Sequence, residues 1–150
     1  MVMVSGRAGL RAMAGEDLPA SDWLEITQDR VDAFARCTDD PQWIHVDPER
    51  AKAGPFGQTI AHGYLALSLI TRFWERTLEV RGFRMTVNYG LDRVRFPAPL
   101  PVGSLIRAHF RIEAVTEVEG GLHVRVTATI EREGHAKPVC VAQTLVRFYD

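Results

Sequence analysis

Asp40 and His45 stand five residues apart in DDPQWIH, a segment broken by Pro41. A loop rich in glycine and proline follows, and an apolar helix opens at His62-Gly63. A carboxylate and an imidazole that share one water can move protons in both directions. Imidazole titrates near neutral pH, and a neighbouring carboxylate orients it. A helix start presents unpaired N–H groups and the positive end of its dipole, so it favours an oxygen that gains negative charge. These are the parts of a proton-transfer site with an anion hole beside it. Taken singly, the same residues have plainer uses: Asp40 caps a turn, His45 packs in a loop, and Gly63 serves the entry bend. Spacing alone leaves both readings open.

The surrounding elements have to hold those groups in place. Residues 5–15 suggest a short helix ended by Gly15, with Leu10 and Met13 on one side. Trp23 and Ile26 flank a short extended piece. Thr27 is a good N-cap for TQDRVDAFARCT, where Val31, Phe34 and Ala35 share a face. Pro41 stops that helix. Asp47-Pro48 starts a second one, PERAKA, that stops at Gly54-Pro55. The main helix is expected from His62 to Val80, apolar nearly all round from Tyr64 to Ile70 and polar later at Arg72, Glu75, Arg76 and Glu79. After Gly82 the period becomes alternating. MTVNYGLDRVRF reads as a strand with a bend at Gly90. SLIRAHFRIEAV places Ile106, Ala108, Phe110, Ile112 and Ala114 on one face. Gly120-Gly121 marks a hairpin turn before LHVRVTATIE, where Val124, Val126, Ala128 and Ile130 face inward. Gly134 marks another turn. KPVCVAQTLVRFY is apolar on both faces and reads as a strand covered on both sides. The layout is α+β, a mostly antiparallel meander wrapped around one helix.

Composition narrows the function classes. The chain has 150 residues, 46% hydrophobic and 25% charged, with a formal net charge of −1. That suits one domain, residues 1–150, with a sizeable core. No basic stripe points to nucleic acid, and no stretch approaches the roughly 20 apolar residues of a membrane span. The opening residues lack a long apolar run, so no signal peptide is expected. Cys37 and Cys140 lie in apolar patterns and form no metal-spaced motif, which fits a reducing, cytoplasmic setting. His109, His123 and His135 fall on polar strand faces or in a turn, and no metal site is expected from them.

Three blocks carry a family resemblance. The first is Asp39-Asp40-Pro41-Gln42-Trp43-Ile44-His45, similar to the hydratase motif G-D-x-N-P-x-H. The second is His62-Gly63 in IAHGYLALSL. The third is Gly90, Phe96, Pro99 and Gly103 in NYGLDRVRFPAPLPVG. Their order and spacing resemble the MaoC-like dehydratase family, which includes the (R)-specific enoyl-CoA hydratases, and within it the nodulation-protein-N-like branch. The resemblance runs from about Trp23 to Tyr149. It departs at Asp39, Gln42 and Trp43, where the motif has Gly, Asn and Pro.

The resemblance implies a hot-dog fold, a central helix wrapped by a curved sheet. It implies water addition across the C2–C3 double bond of an enoyl thioester, giving the (R)-3-hydroxyacyl thioester. Asp40 and His45 would be catalytic, and the Gly63 N–H would hold the enolate oxygen. His62 would cap the helix or orient the loop. Asn88, Tyr89 and Gly90 would lie where the sheet passes the substrate, and Phe96 and Pro97 would shape the tunnel mouth. Coenzyme A, or an acyl carrier protein, belongs to the substrate, and no metal or redox cofactor is required. A homodimer is expected, with the substrate near the interface. Two other readings compete. A hot-dog thioesterase would want a carboxylate on the central helix, where only the late Glu75 and Glu79 qualify. A non-catalytic acyl-thioester binding module would account for the altered residues Asp39, Gln42 and Trp43.

Overall fold

In the computed structural model, which describes residues 1–150, the centre is helix α5, Gly63–Thr77. Leu65, Ala66, Leu69, Ile70, Phe73 and Thr77 are buried along it, a broad apolar stripe that must be covered. The cover is a curled antiparallel sheet of five strands in the order β2-β5-β6-β7-β4. These strands are β2 (Leu24–Glu25), β4 (Met85–Arg95), β5 (Leu105–Val118), β6 (Gly121–Arg132) and β7 (Cys140–Tyr149). The inner faces of β5, β6 and β7 supply Ile106, Ala108, Phe110, Ile112, Val124, Val126, Ala128, Ile130, Ala142, Val146 and Phe148 to one core with α5. This is the helix-in-sheet arrangement that the resemblance implied.

Four helices precede α5. They are α1 (Gly6–Ala12), α2 (Gln28–Thr38), α3 (Trp43–Val46) and α4 (Pro48–Lys52). The caps foreseen for α2 and α4 are made: Thr27 accepts from the Arg30 N–H and Asp47 from the Arg50 N–H.

Several expectations are corrected. The central helix stops at Thr77, not Val80. Leu78–Arg81 turns extended as β3 and pairs in parallel with an unforeseen N-terminal strand β1, Val2–Ser5. Val2, Val4 and Val80 pack on the core from this ribbon, so a partner distant in sequence overrides local helix preference. The meander holds only for β5-β6-β7, because β4 crosses to the far side of β7. Ala114 does not continue the inward face of β5. A bulge at Glu113 shifts the register between Ile112 and Ala114, and Val115 packs on the core instead. The outer residues of β7, such as Val141 and Leu145, are half-buried in the single chain rather than covered. The β5–β6 turn falls at Glu119-Gly120, where Gly120 takes φ +73°, a left-handed position that suits glycine.

Candidate active site

The site is assembled by the way α2 ends. Asp39 adopts the left-handed conformation, φ 53° and ψ 38°, and is the one non-glycine residue of the chain with positive φ. Both the Asp39 and the Asp40 N–H groups turn back onto the Ala35 carbonyl, a left-handed helix stop. This is the position where the hydratase motif has Gly. Asp is among the few side chains that tolerate it. The stop turns Asp40 out of the helix, with its side chain 54% exposed.

His45 arrives on the single helical turn α3. Trp43 anchors that turn. A Cβ on Gly54 would sit 2.8 Å from its indole ring, and the Arg50 guanidinium lies 4.5 Å above it. The Trp in place of the motif Pro is therefore a packing clamp between α3 and the chain after α4. Gln28 holds the other side. Its amide donates to the His45 carbonyl at 2.7 Å and to Asp32 at 2.8 Å, and its oxygen accepts from Thr59 at 2.7 Å.

These anchors leave His45 only 7% exposed. Its Nδ1 lies 2.6 Å from the Ile60 carbonyl oxygen. A carbonyl only accepts, so Nδ1 carries the hydrogen and Nε2 presents a lone pair. Burial pushes the pKa of His45 below its ordinary value of 6.5. The bond to Ile60 opposes that, the nearby His62 adds to it, and Asp40 opposes it. The resulting group is a neutral imidazole with its basic nitrogen free.

His62 is buried at 3% exposure. Its ring stacks on that of His45, with centroids 3.8 Å apart and planes at 25°, and leans on Phe34 at 5.0 Å. Its Nε2 is 3.0 Å from the Asp40 carbonyl oxygen and 3.8 Å from an Asp40 carboxylate oxygen. His62 occupies the N-cap position of α5, but its side chain makes no capping bond, which corrects the capping expectation. The N–H groups of Gly63 and Tyr64 find no backbone acceptor, as expected for the first turn of a helix. Gly63 also has a packing reason to be glycine, since a Cβ there would meet the Phe96 ring at 2.9 Å.

Other expected site residues divide. Asn88 and Gly90 line a cleft of about 620 Å³ between α5 and the β4–β7 edge of the sheet, together with Leu67, Thr71, Trp74 and Leu91. Asn88 donates to the Thr71 hydroxyl at 3.3 Å. The cleft does not contain Asp40, His45 or His62. Its lining begins at Leu67, about one helical turn beyond Gly63. Tyr89 is not part of it. Register shifts on either side of Leu91 break the alternation of β4, and Tyr89 faces outward, with the Arg147 guanidinium 3.6 Å from its ring. Phe96 meets Gly63 and Tyr64, while Pro97 is exposed. Sequence reasoning passed over Gln28, Thr59, Phe34 and the Ile60 carbonyl. Nothing in local sequence marks a main-chain oxygen as the partner of a histidine fifteen residues away.

Asp40, His45 and His62 bring one potential ligand atom each within 4.8 Å of one another. Two rings stacked at 25° share no nearby in-plane point. One ion at bonding distance would then lie out of at least one ring plane, a poor fit to imidazole ligation.

A family model described as MaoC like domain matches residues 10–134. The chain is 51% identical over 142 residues to 3-hydroxyacyl-thioester dehydratase Z of Mycobacterium tuberculosis (strain ATCC 25618 / H37Rv), covering 94% of each chain. It is 38% identical over 147 residues to Nodulation protein N of Rhizobium leguminosarum bv. viciae, covering 94% of this chain and 91% of that one. Among solved structures, R-hydratase PhaJ1 from Pseudomonas aeruginosa superposes with a TM-score of 0.74 at 20% identity, covering 91% of this chain and 82% of that one. That likeness carries the hot-dog fold.

Proposed function

The chain belongs to the MaoC-like dehydratase family, and from that premise we propose that it interconverts a trans-2-enoyl thioester and the (R)-3-hydroxyacyl thioester. In the hydration direction, a water sits between the Asp40 carboxylate and His45 Nε2. The pair takes a proton from it as its oxygen bonds to C3. The double-bond electrons move onto the thioester carbonyl, whose oxygen becomes an enolate held at the Gly63 N–H. The proton then passes from the pair to C2 as the carbonyl re-forms. Dehydration is the reverse. Nothing is oxidised or reduced, and the pair ends as it began. The observation that carries this reading is the bond from His45 Nδ1 to Ile60, which leaves Nε2 basic in a residue that, with His62, clusters with Asp40 to within 4.8 Å.

The cleft supports a place for the acyl chain. It runs along α5 from Leu67 to Glu75, about 12 Å of helix, more than a crotonyl group fills. Coenzyme A or an acyl carrier protein brings the substrate, and the residues that act are side chains and a main-chain N–H. The thioesterase reading gains little. Glu75 and Glu79 do line the cleft, but three or more turns from Gly63.

A homodimer is part of the proposal. β4 is an edge strand, and it leaves Met85, Val87, Tyr89 and Leu91 exposed. An open apolar edge calls for a partner strand. No helix is long and apolar enough to cross a membrane, and a cytoplasmic setting fits the thioester substrates.

The test is hydration of crotonyl-CoA and a longer trans-2-enoyl-CoA, followed by loss of the conjugated absorbance. Asp40→Ala and His45→Ala should each lose on the order of 100-fold or more. Thiol release instead of hydration would favour the thioesterase. Tight binding with no turnover in any of the three proteins would favour the binding module.

A further inference from the structure

We propose that His62 is the positioning residue of the Asp40–His45 pair: its edge ties down Asp40 and its face holds the His45 ring. This rests on the hydratase reading.

The residue is oddly chosen for its place in the chain. The N-cap of a long helix favours Ser, Thr, Asp or Asn, whose short side chains close back on the first turn. His62 makes no such bond. Its Nδ1 is buried without a protein partner, whereas buried polar atoms are usually bonded. A cap and a buried lone pair are both given up. What the ring makes instead are contacts with both proposed catalytic residues.

The edge acts on Asp40. Nε2 lies 3.0 Å from the Asp40 carbonyl oxygen, so it carries the hydrogen and donates. That bond spans 22 residues and fixes the exposed turn after Asp39 to the buried start of α5. The same nitrogen is 3.8 Å from the carboxylate, close enough for the N–H to follow that group through a small side-chain rotation. The face acts on His45. Stacked at 3.8 Å, it closes one side of the His45 ring to water. The next residue is Gly63, so His62 also sets the distance between the pair and the helix start. Geometry held this way matters, because misplacement by about 1 Å can cost 100-fold in rate.

The two contacts separate by substitution. His62→Phe keeps a flat ring but has no N–H. On crotonyl-CoA its kcat should fall roughly 10-fold or more with KM held within about twofold. The acid limb of its pH profile should rise only slightly, because the ring keeps His45 buried, the largest cause of its lowered pKa, and only the smaller contribution of His62 is lost. His62→Gln keeps an N–H donor but no ring face. Water should then reach His45, and the acid limb should move up toward the ordinary histidine value. Histidine tautomers in the isotope-labelled wild type, read by long-range proton–nitrogen correlation, provide a measurement that needs no variant to fold. His62 should carry its hydrogen on Nε2 and His45 on Nδ1. The opposite tautomer at His62 would overturn the proposal, as would two folded variants with wild-type kcat and superimposable pH profiles. A wild type inert on enoyl thioesters but with these tautomers would sink the hydratase reading alone.

Discussion

The Nδ1 of His45 donates to the carbonyl oxygen of Ile60 at 2.6 Å, across fifteen residues of chain. This one bond selects the tautomer and fastens α3 to the segment that leads into α5. It joins the two halves of the proposed site before any substrate arrives.

The first consequence is a pH dependence. In the proposed mechanism His45 serves as a base only when neutral, and burial lowers its pKa from 6.5. The acid limb of kcat/KM should therefore fall below the ordinary histidine value. Stability follows the same sign. A group whose folded pKa is depressed stabilises the fold fully above its unfolded value, because the unfolded chain binds the proton first. The contribution of His45 is present above pH 6.5 and is lost as pH falls through its lowered value. Denaturant melts of wild type and His45→Gln across that window should converge toward the acid side. Parallel curves would contradict the linkage.

A second prediction concerns Gly63 and Phe96. Gly63→Ala puts a Cβ 2.9 Å from the Phe96 ring, and overpacking of that kind costs about 1–3 kcal/mol. Phe96→Ala in the same chain should restore much of the melting temperature. Hydration should remain impaired in the double variant, because the methyl still crowds the thioester. Activity that returns together with stability would assign Gly63 to packing alone.

Asp39 gives a third. Its φ of 53° strains any β-branched residue, so Asp39→Val should destabilise by about 1–2 kcal/mol. Asp39→Gly should hold or raise stability, since relief of strain offsets the added freedom of the unfolded chain. Thermal melts of both variants decide this without reference to activity.

The cleft yields a fourth. Thr71→Phe would fill the space between α5 and Leu91. Each displaced methylene is worth about 0.8 kcal/mol. The ratio of kcat/KM on a long enoyl-CoA to that on crotonyl-CoA should fall by roughly 10-fold or more. An unchanged ratio would move the acyl chain elsewhere.

The fifth is assembly. Wild type should sediment at twice 16.8 kDa. Val87→Lys with Met85→Lys places like charges on the open edge of β4 and should return the single-chain mass. A wild type that already sediments as one chain would remove the dimer from the proposal.

Much of this protein was legible in its residues. The caps Thr27 and Asp47, the alternation of β6, the Gly120 turn and the bend near Gly90 are local signals, set by dihedral preference and by which side chains avoid water. The Asp40–His45 spacing and the His62-Gly63 helix start are local too, and with the family resemblance they suggest the proposed chemistry. The tertiary structure decided what depends on partners distant in the chain. It ended α5 at Thr77 because Leu78–Arg81 found Val2–Ser5. It set β4 beside β7 and put Tyr89 on the outer face against Arg147, opposite Asn88. It also gave His45 the Ile60 carbonyl and laid the ring of His62 against it. A main-chain oxygen is the same in every residue and a ring stack leaves no periodic trace. Only the folded chain could choose which oxygen and which ring.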